Sequence, residues 1–168
     1  MPAKPKSVES TRTQIKLDET DRRILHLLQL DARMTVKDLA AAVNLSATPV
    51  HERLKRLESS GVIRGYSVVI DRAKTGKSLM VVCYVSLREH NRAAGAKFIK
   101  SILAMDEVTE CYNISGEFDF MLKVVAAGME EYYDFHVNKL SQIDNIGNLQ
   151  STFIMGVIKE SSARIQIP

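Results

Sequence analysis

Residues 36–63 read VKDLAAAVNLSATPVHERLKRLESSGVI. Two short helix patterns meet there across a tight turn, and the second opens on small polar residues and closes on a run of bases. Thr35 stands before Val36 as an N-cap, and Asp38 completes a capping-box pair with it. Val36, Leu39, Ala40 and Val43 then share one helical face. Asn44 follows, a residue that tolerates the left-handed conformation in which a helix stops and a sharp turn begins. Ser46 or Thr48 caps the next helix, and Pro49 fits only its first turn, where a missing N–H costs nothing. Val50, Leu54 and Leu57 recur at i, i+4 and i+7 and face inward, which leaves Ala47, Thr48, His51, Glu52, Lys55 and Arg56 on the remaining faces.

This is the physical recipe for a helix-turn-helix, whose second helix enters the major groove of DNA while the first braces it. Small residues at the front of that helix, Ser46, Ala47 and Thr48, with Pro49 and His51 beside them, can approach base edges closely. Arg53, Lys55 and Arg56 can hold phosphates or read guanine. The competing reading is an ordinary amphipathic pair with a solvated charged face. An upstream helix favours the first reading: Asp18 caps it with Asp21 at its third position, and Ile24, Leu25, Leu27 and Leu28 supply a wide apolar stripe. Three short helices around one small core make a helix-turn-helix domain. Past Gly61, VIRGYSVVID is rich in β-formers and predicts a strand that extends it.

Working outward, residues 1–16 hold four bases against one acid and few apolar groups, and read as a tail or a weak DNA-contacting arm. The helix-turn-helix domain spans 17–63, and 64–78 is a strand and linker with Gly76 near its end. From 79 to 168 a second domain follows. Strands are predicted at 79–87, 108–114, 118–126 and about 149–158. One helix lies at 93–103, with Phe98, Ile99, Ile102 and Leu103 at helical spacing, and another is marked by Met129, Tyr133, Val137 and Leu140. Val108, Glu110, Tyr112 and Ile114 are expected on one face of their strand, Ser115-Gly116-Glu117 makes a hairpin turn, and Asp144-Asn145 turns into the last strand. The order is β-α-β-β-α-β, the ferredoxin-like pattern, so the fold class is α+β. Helices then cover one sheet face only. The other takes its share of Val82, Tyr84, Cys111, Phe153 and Met155, in a division the sequence leaves open, and a second copy packed sheet to sheet is its simplest cover. A dimer also presents two recognition helices to a palindromic site.

Composition agrees with a globular chain: 168 residues, 45% hydrophobic and 26% charged. No apolar run approaches the roughly 20 residues that span a bilayer, and the start lacks an apolar signal core, so neither a membrane nor secretion is expected. Residues 1–72 hold 13 Lys+Arg and 9 Asp+Glu, hence +4, while 73–168 hold 10 and 11, hence −1, which places the basic excess in the helix-turn-helix half. Cys83 and Cys111 fall in predicted strands and read as buried reduced thiols. His26, His51, His90 and His136 lack metal-ligand spacing, and neither a phosphate-cradling loop nor a nucleophile elbow is present, so an enzyme is not expected. Tyr132, Tyr133 and Phe135 read as helix packing and interface. Glu130 and Glu131 suit a helix start, where the dipole favours acids.

The blocks LDETDRRILHLLQLDAR, LAAAVNLSATPVHERLKRLESSGVI, IRGYSVVID and SGEFDFMLKV resemble the leucine-responsive/asparagine-operon (Lrp/AsnC) transcription regulators, over residues 17 to 159 or so. The resemblance implies a winged-helix-like helix-turn-helix domain joined to a ferredoxin-like one, in a sequence-specific regulator that binds double-stranded operator DNA. It implies a cytoplasmic, nucleoid-associated prokaryotic protein that assembles as homodimers and rings of dimers such as octamers. An amino acid bound at the interface between dimers would be its effector, with no other cofactor. In SGEFDF, Ser115, Gly116 and Asp119 match the family motif, and Glu117, Phe118 and Phe120 fit its acidic and aromatic positions. Ser151 stands where Thr is common, beside Thr152, and Asp144-Asn145 replaces a common Pro-Gly; these positions adjoin the family's effector site, so the ligand's identity is left open. Gly116 lets a ligand approach backbone, turn N–H groups can take a carboxylate, and Asp119, or failing it Glu117, an ammonium. Against this, Gly116 can serve the hairpin alone and Asp119 can pair locally. Two other functions stand beside the first: a ligand-independent architectural DNA-binding protein, and an amino-acid-sensing metabolic domain.

Overall fold

A computed structural model describes residues 15–159 and residue 167, and the expected tail at 1–16 lies almost wholly outside the described residues. The chain divides into two compact units between Val69 and Ile70.

The first unit holds α1 (Glu19–Leu30), α2 (Val36–Ala42) and α3 (Ala47–Ser59). Two capping boxes start the first two helices. At α1 the Asp21 N–H donates to Asp18 at 2.8 Å and the Asp18 N–H to Asp21 at 3.1 Å; at α2, Thr35 and Asp38 exchange the same pair of bonds. The Leu45 N–H returns to the Ala40 carbonyl and the Asn44 N–H to that of Ala41, with Asn44 left-handed at φ 57°, so a Schellman turn ends α2 as the sequence suggested. Ile24, Leu25, Leu39, Ala40, Val50 and Leu57 form the core.

No strand forms among residues 62–71, contrary to the expectation from VIRGYSVVID. A strand is defined by its ladder of hydrogen bonds, and this stretch finds no neighbouring strand among the described residues; Val68, Val69 and Ile70 are 84%, 68% and 61% exposed. Ile63 is tied back by its N–H on the Leu57 carbonyl at 2.9 Å and packs on the helical core, and Tyr66 by its hydroxyl, which donates to Glu58 at 2.8 Å.

The second unit runs β1 (Leu79–Leu87), α4 (Arg92–Ile102), β2 (Val108–Asn113), β3 (Phe120–Ala126), α5 (Met129–Asn138) and β4 (Ile146–Phe153). Its antiparallel sheet has the order β2-β3-β1-β4, as expected for the ferredoxin-like pattern. Val81, Cys83, Val85 and Leu87 of β1 alternate inward and meet Leu122, Val124, Phe98, Phe135 and Leu140. Register divides the sheet's faces, because directly paired residues point the same way. Val82 and Tyr84 take the open face, whereas Cys111 pairs with Leu122 and Phe153 with Val81 on the helix side, and Met155 lies beyond β4.

Other expectations shift as well, and β4 at Ile146–Phe153 starts and ends earlier than the expected 149–158. A bulge between Val108 and Glu110 reverses the alternation of β2, so Val108 packs on the core while Glu110 pairs across the open face with Lys123 at 2.9 Å. Along α5 Tyr132 and Phe135 are buried while the expected Met129 and Tyr133 are exposed; Leu140, just beyond the helix, is in the core as expected. Cys83 is buried but Cys111, on the edge strand, is exposed; both are free thiols.

The Asp18 N-cap carries a pH signature. The N–H of Asp21, and then Arg53, hold its carboxyl below the ordinary aspartate range, so the stabilisation is complete above an unfolded pKa of about 4 and is lost as pH falls through the lower folded value. Asp18→Asn keeps a good cap and removes the charge. Its melting temperature should lie below the parent's at pH 7, and the gap should close on acidification below about pH 4; a gap that does not change with pH contradicts the assignment.

Candidate functional site

The expected DNA-facing residues divide into groups by their position around α3. Ser46 occupies the N-cap position, but its hydroxyl makes no capping bond and no acid sits in the first turn. The helix therefore offers unneutralised N–H groups and a free hydroxyl at its front. Ala47 and Thr48 are exposed and Pro49 half-buried in that turn. At 3.6 residues per turn, Thr48, Glu52 and Lys55 lie about 140–160° from the buried Val50, at the centre of the outward face. Lys55 on that face and His51, on the flank about 100° from Val50, are exposed, and neither makes an ion pair among the described residues.

Arg53 and Arg56 stand on the flank towards the start of α1, where both are engaged. Arg53 Nη1 donates to Asp18 at 2.5 Å and to Asp21 at 2.7 Å, and Arg56 Nη2 donates to the other oxygen of Asp21. Asp21 is fully buried and is the only buried charged residue among those described. The two acids raise the Arg53 guanidinium pKa above its ordinary value. Spacing read these arginines as solvent-facing bases and missed their partners. A signal existed: Asp21 lies at i of the stripe Ile24, Leu25 and Leu28, on a face where a carboxylate needs company.

In the second unit the turn after β2 is tied to the end of β1. Ile114 N–H donates to the Asp119 carbonyl and Asp119 N–H to Val85, both at 2.9 Å. Ser86 Oγ donates to the Glu117 carbonyl at 3.0 Å, and Phe118 packs on Tyr84 with ring centres 5.4 Å apart. Gly116 sits at φ 125°, a conformation that a side chain would strain. Both oxygens of Asp119 are in use: Oδ2 accepts the Leu87 N–H at 2.7 Å, and Oδ1 lies 3.1 Å from His90 Nδ1. Ser115 and Glu117 are exposed, and the Glu117 carboxylate has no partner among the described residues. His90 was not foreseen as a neighbour of Asp119, since it arrives from the loop before α4 with no shared sequence spacing.

Ser151 and Thr152 are elsewhere. They pair with Cys83 and Val82, three to five residues back along β1 from Ser86 and Leu87, which is about 10–17 Å from the turn at the usual rise per residue. They also point to opposite faces. Ser151 turns to the helix side, its Oγ 2.6 Å from the Tyr132 hydroxyl, which in turn lies 3.2 Å from Cys83 Sγ. Burial pushes the Cys83 thiol up. Exposed Thr152 shares the open face with Val82. One chain thus assembles residues 115–119 but does not bring Ser151 and Thr152 to them. Asn145, left-handed at φ 72°, makes the turn expected of Asp144-Asn145 and bonds through its side chain to Glu89.

Among the described residues no three His, Cys, Asp or Glu gather as a metal site, and no helix is long and apolar enough to cross a membrane. Residues 17–64 match the winged helix-turn-helix DNA-binding family model, and residues 80–164 the Lrp/AsnC ligand binding domain. The chain is 32% identical over 147 residues to the DNA-binding transcriptional activator DecR of Escherichia coli, covering 88% of this chain and 97% of that protein. It is likewise 32% identical to the leucine-responsive regulatory protein of Rhizobium meliloti, over 88% of this chain and 95% of that one. Among solved structures it resembles a transcriptional regulator of Neisseria meningitidis in complex with L-methionine, with TM-score 0.84, 30% identity, and 89% and 97% of the two chains covered. A helix-turn-helix with an exposed outward face, a ferredoxin-like second unit and similarity to named regulators over 88% of the chain converge, and the chain belongs to the Lrp/AsnC family of DNA-binding transcriptional regulators.

Proposed function

We propose that this regulator reads operator DNA with the outward face of α3 and answers to an amino acid bound beside the 115–119 turn, between chains. The protein works in the cytoplasm on the nucleoid and carries no enzymatic activity of its own, in keeping with relatives that are named as regulators. The observation that carries the DNA half is the unpaired face of Thr48, Glu52 and Lys55 beneath an uncapped helix start. Ser46, Ala47 and Thr48, with Pro49 setting the first turn, approach the bases, while His51 and Lys55 meet bases or backbone.

The separation of residues 115–119 from Ser151 and Thr152 along β1 supports a site built by more than one copy. A homodimer that covers the open sheet face, and rings of such dimers, would bring one chain's turn to another chain's β4. The L-methionine in the Neisseria relative supports an amino acid as ligand. Free N–H groups at the Ser115–Gly116 turn suit its carboxylate. Asp119, bonded to Leu87 and beside His90, holds the turn in shape. Glu117, whose carboxylate is free, is the better acceptor for the ammonium group.

Lys55→Ala should lower the slope of log K against log salt by about 0.9 while the assembly state stays unchanged, as expected for one lost phosphate contact. A parental slope in binding titrations would remove Lys55 from the interface. For the effector, a thermal-shift screen of the twenty amino acids identifies a ligand by its raised melting temperature. Glu117→Gln should then weaken that ligand in calorimetry by about 2–5 kcal/mol with no loss of thermal stability. Parental affinity in Glu117→Gln would return the ammonium to Asp119.

A further inference from the structure

Arg53, Lys55 and Arg56 are all bases of α3 that DNA binding could use, but the ion pairs at its flank divide them. We propose that Arg53 is a positioning residue: it fixes the aim of α3 through the buried Asp21 carboxylate and does not neutralise a phosphate. The inference rests on the DNA-binding reading of α3 and refines which side chains carry it.

Arg53 lies about 60° around the helix from Val50, between the core and the outward face. Its side chain is 26% exposed, and Nη1 is shared by Asp18 at 2.5 Å and Asp21 at 2.7 Å. The side chain of Asp21 is 1% exposed. A guanidinium that left this site for a phosphate would leave Oδ1 of a buried carboxylate without its partner, with only Oδ2 still held by Arg56 and the Asp18 N–H, a state less favourable than a phosphate left to its counterions. Arg56 differs. Its side chain is 50% exposed and only Nη2 is engaged with Asp21, so the rest of its guanidinium stays available to DNA.

The geometry also explains how two carboxylates tolerate each other at the start of α1. Each caps the other's N–H, and the Arg53 guanidinium between them removes the like-charge repulsion. The same atoms that start α1 therefore hold the middle of α3. Turning α3 about its axis would break the Arg53 bonds before it disturbed the Leu54 and Leu57 packing, because short charged bonds tolerate less displacement than apolar contacts.

A direct phosphate contact and a positioning role predict different salt behaviour. The probes are the best duplex that the parent protein recovers from a random-sequence pool and a scrambled duplex of the same length. Binding is measured at several salt concentrations, at a temperature where circular dichroism shows each variant folded. Arg53→Met should keep the parent's salt slope on both duplexes and lose about tenfold or more of the preference for the selected one. Asp21→Asn, altered at a residue DNA cannot reach, should lose preference in the same way. If Arg53→Met does not fold, Arg53→Lys carries the test, because it keeps the charge and loses the shared geometry: parental slope with lost preference supports the proposal, and parental preference overturns it. A slope reduced by about 0.9 in Arg53→Met overturns it, as does Asp21→Asn with full preference. A parent without any preferred duplex or salt slope would instead overturn the DNA-binding reading itself, and this inference with it.

Discussion

A carboxylate withdrawn from water has to be met by charge, and in the helical unit that carboxylate is Asp21. Its burial is complete, and two arginines of α3 and the N–H of Asp18 answer it. Removing one partner of a buried pair costs about 3–5 kcal/mol, whereas a solvent-exposed pair is worth about 1 kcal/mol or less. That difference is the ground for the proposal that Arg53 is structural while Lys55 faces DNA. It also places the start of α1 and the body of the recognition helix under one constraint, so that the outward face of Thr48, Glu52 and Lys55 is presented in a single orientation.

The second unit is governed by the register of β1, which pairs with β3 on one side and β4 on the other. Alternation along β1 gives Val81, Cys83, Val85 and Leu87 to the core and leaves Val82 and Tyr84 open. The same register sets the 115–119 turn at the Ser86–Leu87 end and Thr152 opposite Val82. Distance along a strand is not adjustable, so a ligand that needs both groups needs two chains. The effector site proposed for this unit therefore calls for a second copy of the chain.

What the sequence made legible was local. The Thr35 and Asp18 caps, the left-handed Asn44, and the stripe of Val50, Leu54 and Leu57 each depend on residues within a turn or two, and all appear as read. The phase of α5 was not legible, because Tyr132 and Tyr133 are chemically alike and the positions of β1 and β4 select Tyr132 for burial, beside Cys83, Ser151 and Phe153. The bulge before Glu110 has no marker such as glycine. The stretch 62–71 has β-forming residues, but strand formation requires a neighbour that composition cannot supply. The contacts Arg53–Asp21 and His90–Asp119 join residues 32 and 29 positions apart, beyond any periodicity argument. At the candidate site, motif resemblance located the turn, while the partners of Asp119 and the distance to Ser151 came only from the register.

The function proposed for this chain couples DNA reading by α3 to amino-acid binding by the second unit. The measurement is fluorescence anisotropy of the protein on its selected duplex at fixed salt, repeated with each of the twenty amino acids, with sedimentation run in parallel. At least one amino acid should change the duplex affinity by about 5-fold or more, the range of ordinary allosteric coupling. If all twenty leave both affinity and assembly unchanged, the sensing half of the account is wrong and the chain is a ligand-independent DNA-binding protein.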